Sequence, residues 1–169
     1  MVTSTPDTSR NDSILIFDSG AGGLSILCEV RKKLPNTHFH YLMDTACFPY
    51  GNQVDSHLES RIPELCRAAV EQLNPAVLVL ACNTASTLAL PLLREALDIP
   101  VVGVVPAVRV AAGHCSEAGD ISFGLLATPA TVKRSYTDNL ISDFADGFEV
   151  HRFGSPLLVS YAERAISGD

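Results

Sequence analysis

The chain has 169 residues but no tryptophan, only two methionines and an aromatic share of 7%. Its five cysteines, at positions 28, 47, 66, 82 and 115, are odd in number and include no CxxC. The five histidines include no HxxxH pair. Neither a disulfide framework nor a zinc site is indicated, no metal is expected, and reduced thiols in a cytoplasm are the simplest account. Basic residues are scarce as well: 12 Lys and Arg stand against 19 Asp and Glu, for a net charge of −7 and a pI near 5.1. That balance argues against nucleic-acid and anionic-membrane partners, which both want a basic face. It leaves an anionic small molecule open, because small-molecule binding depends on the local field. Residues 1–13, MVTSTPDTSRNDS, lack an apolar core and read as a disordered lead-in rather than a signal peptide. The apolar stretch over residues 99–112 is broken by Pro100, Pro106 and Arg109 and is too short to span a bilayer. A soluble cytoplasmic protein is expected.

What is present is 47% hydrophobic, enough for one ordinary domain or two small ones sharing an interface. The most informative stretch is Val77-Leu78-Val79-Leu80-Ala81-Cys82-Asn83-Thr84-Ala85-Ser86. A branched apolar run reads as a buried strand that delivers a thiol to the first turn of a helix. Asn83, Thr84 and Ser86 are all N-cap residue types and suit a helix start just beyond the thiol. The positive end of a helix dipole would favour thiolate there. A buried cysteine closing a strand, with no chemistry, is the plainer alternative.

The same grammar recurs along the chain. Ile14 to Phe17 runs into Asp18-Ser19-Gly20-Ala21-Gly22-Gly23, and Leu24, Leu27, Val30 and Leu34 follow at helical spacing. The glycines allow close backbone approach and expose N–H groups at a helix start, but the segment is neither GxGxxG nor a P-loop. His38 to Met43 is a second strand, ending in a loop that contains Pro49-Tyr50-Gly51. Such a loop can offer a phenol and backbone amides to a cleft. A helix over 56–73 contains Pro63, which suggests a kink or a late start. Strands at 101–105, 123–127 and 148–153 follow, with helices from Pro106, from Thr128-Pro129-Ala130-Thr131 through Tyr136 and Leu140, and over 157–166. Six strand–turn–helix units predict an α/β fold of parallel sheets with helices on both faces. Ligands in such folds bind beyond the carboxyl ends of the strands. Asp18-Ser19, Tyr50-Gly51, Cys82-Asn83-Thr84 and Thr128/Thr131 all fall there, on one expected edge.

Five segments in this order, IFDSGAGGLSIL, DTACFPYG, LACNTAS, GVVPAV and GLLATPATVKRSY, resemble the successive signatures of the cofactor-independent glutamate racemases of the aspartate/glutamate racemase superfamily. The resemblance implies two similar flavodoxin-like domains with a cleft between them. The first is expected over residues 14–100 and a second, incomplete one over 101–169. It implies interconversion of L- and D-glutamate by two-base cysteine proton transfer without a cofactor, with D-glutamate serving peptidoglycan synthesis. On this pattern Cys82 is a catalytic cysteine, and Asp18, Ser19, Tyr50, Gly51, Asn83 and Thr84 are substrate-binding positions. The chemistry agrees: a planar carbanion needs a base on one face and an acid on the other. The three lysines, Lys32, Lys33 and Lys133, stand at no predicted strand end, so no pyridoxal-type site is evident. Backbone amides with Ser19, Asn83 and Thr84 would hold the carboxylates. Asp18 would face the ammonium or orient the thiol.

The family's second cysteine lies late in the chain, in a Gly-Cys-Thr-His-Tyr-Pro-like motif that this sequence does not contain. Truncation is the favoured expectation, with little racemisation by the chain alone. A complementing C-terminal fragment or a homodimer would then be the protein partner. The alternatives are a single-thiol decarboxylase or isomerase of the same superfamily and a non-catalytic binding fragment.

Overall fold

The computed structural model describes residues 11–168. The lead-in over 1–10 lies outside the described residues. Asn11, Asp12 and Ser13, read from the sequence as its last residues, open the first strand, β1 (Asn11–Asp18). They pair because Asn11 stands opposite Pro75 and Ser13 opposite His38 on the two flanking strands.

β1 is the centre of a four-stranded parallel sheet of order β2-β1-β3-β4, with β2 at His38–Met43, β3 at Pro75–Leu80 and β4 at Val101–Gly103. Alternate residues of the two central strands feed two different layers, as the period-2 geometry of a strand requires. Leu15, Phe17, Leu78 and Leu80 meet Leu58 and Ile62 of α2 (Asp55–Leu73) and Ala85, Leu90 and Leu93 of α3 (Asn83–Ala96). Ile16, Val79 and Ala81 instead meet Ile26 and Leu27 of α1 (Leu24–Lys33). Helices therefore cover both faces. Each large apolar side chain buried this way stabilises the fold by roughly 1.5–3 kcal/mol. Cover by α1 is thinner, since Leu24 and Leu34 remain 43% and 44% exposed.

The second sheet holds β5 (Ser122–Ala127) and β6 (Glu149–Gly154), again parallel and in register from Ser122–Glu149 to Ala127–Gly154. Val108 and Ala112 of α4 (Val108–Ala118) pack with Phe123, Phe148 and with Leu140 and Ile141 of α6 (Ser135–Phe144) on one side of it. Leu126, Phe153, Leu157 and Tyr161 of its neighbourhood are exposed; Tyr161 belongs to α7 (Leu158–Ser167). Val101–Gly103, placed with the second domain by the sequence pattern, hydrogen-bonds to β3 of the first sheet.

Three details differ from the sequence expectations. The six parallel strands form two sheets, so Thr128 and Thr131 approach the other loops from a second sheet rather than along a shared edge. α2 starts at Asp55 and runs through Pro63, so the proline does not defer its start. The expected single helix from Thr128 through Leu140 is two helices, α5 (Pro129–Lys133) and α6, parted at Arg134, whose backbone is extended (φ −73°, ψ 144°).

Candidate active site

Strand order reverses between β1 and β3, so the loops leaving these neighbours turn to opposite faces and open a crevice between them. Asp18 and Ser19 leave β1 at this crevice and Cys82 leaves β3. All seven residues expected at the site, Asp18, Ser19, Tyr50, Gly51, Cys82, Asn83 and Thr84, line one cleft of about 530 Å³. Leu125, Leu126, Thr128, Thr131 and Leu158 form its opposite wall, and the 104–107 loop closes one side. The Gly51 backbone lies so near Thr128 that a Cβ there would come within 3.0 Å of the threonine methyl.

Cys82 is itself the N-cap of α3, in place of the Asn, Thr and Ser that follow it. Its sulfur accepts a hydrogen bond from the Ala85 N–H at 3.4 Å. Asn83 and Thr84 thereby become the first helical residues, and their N–H groups belong to the set a helix leaves without intrahelical partners. Ser19 Oγ lies 3.5 Å from Cys82 Sγ. The thiolate preference expected from the helix dipole is overridden. Burial pushes the Cys82 thiol above its ordinary range and the Asp18 carboxylate adds to this, while hydrogen bonds from Ser19 and Ala85 act the other way. The balance favours the thiol over the thiolate.

Asp18 is buried and holds the glycine turn closed. Its carboxylate accepts from the Ser19 N–H at 2.7 Å and the Gly23 N–H at 2.6 Å. Gly23 is the glycine this turn requires: a Cβ would fall within 2.8 Å of Ala81 and the Tyr41 hydroxyl. Tyr50 lines the cleft, but its phenol is turned away. The hydroxyl donates to Asp44 at 2.8 Å and the residue is 1% exposed. The loop therefore offers the cleft its backbone and not the phenol. Burial and the Asp44 carboxylate keep that phenol protonated. Arg61 completes the arrangement with two hydrogen bonds to Asp44, at 2.6 and 2.7 Å. Asp44 opens the DTACFPYG stretch, where nothing local distinguishes it from a turn residue, and Arg61 lies mid-helix with no local signal.

The other thiols are elsewhere. Cys66 is in the core, where burial pushes it up to about 12. Cys47 lies 3.5 Å from His57 Nε2, Cys115 faces the Ser122 carbonyl, and Cys28 is exposed on α1. Among the described residues, no second cysteine lines the cleft, no three His, Cys, Asp or Glu side chains gather as a metal site, and no helix is long and apolar enough to cross a membrane.

The chain is similar to a glutamate racemase of Shewanella woodyi, 55% identical over 155 residues, covering 92% of this chain and 57% of the relative. A Proteus mirabilis glutamate racemase is 46% identical over 169 residues, covering 99% and 57%. Among solved structures, Escherichia coli glutamate racemase in complex with L-glutamate and the activator UDP-MurNAc-Ala superposes with a TM-score of 0.86 at 44% identity, over 94% of this chain and 59% of that one. The chain thus spans less than two thirds of the length of these relatives, and its α/β architecture corresponds to that part of their two-domain, flavodoxin-like fold. The model of the Asp/Glu/Hydantoin racemase family matches residues 25–165, a span holding the thiol, Tyr50, Gly51 and the wall opposite them but not Asp18 and Ser19, and the chain belongs to that family.

Proposed function

We propose that the cleft binds glutamate and that Cys82 transfers a proton to and from one face of its α-carbon, as half of a two-base racemisation that supplies D-glutamate for peptidoglycan. The observation that carries this reading is the position of Cys82: a thiol on the cleft floor, at the β1/β3 reversal, capping α3 and 3.5 Å from Ser19. In this reading the free N–H groups of Asn83 and Thr84, with the hydroxyls of Ser19 and Thr84, hold carboxylate oxygens. Gly51 and the Tyr50 backbone line the other side. As base, the Cys82 thiolate takes the α-proton and becomes a thiol, leaving a carbanion stabilised by those donors. As acid, the thiol returns a proton to the same face. The proton on the opposite face must come from a group outside the described cleft, and a polypeptide supplying it has the exposed apolar surface around Leu126, Phe153 and Leu157 to dock upon.

Glutamate should protect Cys82 from iodoacetamide. Ser19→Ala and Thr84→Ala should each raise the half-protecting concentration about fivefold, the worth of one hydrogen bond near 1 kcal/mol; unchanged protection in both variants would remove them from the site. Followed by circular dichroism, the chain alone should convert little L-glutamate to D-glutamate. Robust conversion that Cys82→Ser abolishes would mean that the second thiol is dispensable.

A second reading has a specific support, that among the described residues one thiol lines the cleft: a decarboxylase or isomerase that protonates a carbanion from one face only. Solvent deuterium entering the α-position of one enantiomer without racemisation would favour it.

A further inference from the structure

Arg134 is the residue at which α5 and α6 part. It is 8% exposed and reaches out of the second half of the molecule into the first. Nη1 donates to Thr87 Oγ1 at 3.2 Å and approaches the Thr84 carbonyl at 3.5 Å. Nη2 donates to Asp55 at 2.5 Å. Thr87 is tied in turn to the carbonyls of Asn83 and Thr84 by its hydroxyl, at 3.0 and 3.2 Å. Other ion pairs, such as Arg61–Asp44 and Arg152–Asp138, stay within one half.

Each of these attachment points lies close in the chain to residues that line the cleft. Asp55 starts α2, directly after the turn holding Tyr50 and Gly51. Thr84 and Thr87 lie in the opening turns of α3, behind Cys82. Arg134 itself follows α5, which begins next to Thr128 and carries Thr131. The need for such a tie is visible behind the cleft. There a second, open pocket of about 570 Å³ is lined by Asp55, Glu59, Lys133, Arg134 and Ser135, so space remains between α2 and the α5–α6 corner. Arg134 bridges that gap with hydrogen bonds where apolar packing is missing. A guanidinium suits the task, since its planar fork can donate in two directions at once and a lysine ammonium on a flexible stem cannot span the same three partners.

We propose that Arg134 is a positioning residue that sets the spacing of the three cleft walls, and so holds the first turn of α3 where Cys82 and the Thr84 N–H face a bound ligand. The ligand-binding half of this proposal rests on the cleft being a glutamate site. Arg134 touches no ligand; it acts through Asp55, Thr84 and Thr87.

The test uses the full chain as wild type, Arg134→Met, Arg134→Lys and Asp55→Asn, with site-resolved iodoacetamide labelling of Cys82 and Cys66 by mass spectrometry. In Arg134→Met, labelling of Cys82 in the free protein should rise by about fivefold, as expected when a tie between a buried guanidinium and the half-exposed Asp55 is cut and a segment opens locally. Half-protection by glutamate should need correspondingly more ligand. Arg134→Lys and Asp55→Asn should fall between wild type and Arg134→Met, and the pair combined should be no worse than Arg134→Met alone. Cys66, on the buried face of α2 about three turns from Asp55, is the control, and its labelling should stay flat. If Arg134→Met does not fold, the two milder variants carry the same comparison. Unchanged Cys82 labelling across the series, or Cys66 rising in step with Cys82, would overturn the proposal and leave Arg134 a general stabiliser. Faster Cys82 labelling in the variants, with no glutamate protection in wild type, would uphold the positioning role and reject glutamate as the ligand.

Discussion

Cys82 sits under opposing influences that can be separated one residue at a time. Burial and the Asp18 carboxylate hold the proton on; hydrogen bonds from Ser19 and the Ala85 N–H favour its release. Cys82 alkylation should therefore follow a pH profile whose midpoint lies above the ordinary thiol value of 9.0. Asp18→Asn, which removes a negative charge, should move that midpoint down. Ser19→Ala, which removes a donor to the thiolate, should move it up. Profiles that coincide in all three proteins would mean that desolvation alone governs the thiol. Asp18, Ser19 and Cys82 were legible in the sequence because each is a polar residue ending a run of branched apolar ones. The direction of the Tyr50 phenol was not legible. It depends on Asp44 and on Arg61, 17 residues further along the chain from Asp44, and no local pattern announces that meeting.

At the scale of elements, the Asp44–Arg61 pair joins the end of β2 to the face of α2 and locks the loop between them. Asp44 is 3% exposed and its partner 28%, so removing Arg61 strands a buried carboxylate. Arg61→Met should cost about 3–5 kcal/mol at neutral pH, nearer the lower figure because the guanidinium is partly solvated. The Arg61 guanidinium and then the Tyr50 hydroxyl hold the Asp44 carboxyl below its ordinary 3.8. The pair's contribution is therefore fully present above that value and fades as the pH falls through the folded-state value. Urea unfolding at neutral pH and again at about pH 3 should show the difference between wild type and Arg61→Met shrinking in acid. A pH-independent difference would point to lost packing instead. Strand identities were readable from apolar runs that end at Gly, Asp, Asn or Thr. The break between α5 and α6 was not, because lysine and arginine are good helix formers and no Gly or Pro marks the position of Arg134.

For the molecule as a whole, parallel connectivity was readable from the alternation of strands and helices, and two domains followed from the family resemblance, but the strand after which one sheet gives way to the other was not legible. Periodicity says that a strand is buried and not which neighbour it joins, and β4 is only three residues long. The two sheets differ in how well they are enclosed. β1 and β3 are paired on both edges and covered on both faces, whereas β6 pairs on one edge and most of its residues are exposed. Amide hydrogen exchange should be slowest in β1 and β3 and fastest in β6 and α7; uniform protection across both sheets would contradict that division. One further consequence follows from the position of the reacting atom. The sulfur proposed to gain and lose the α-proton is also the acceptor that ends the α3 hydrogen-bond ladder. A thiolate is a strong acceptor and a neutral thiol a weak one, so every ionisation of Cys82 tightens the start of that helix and every protonation lets it fray. The helix carries, in the firmness of its first turn, a running record of where the proton is.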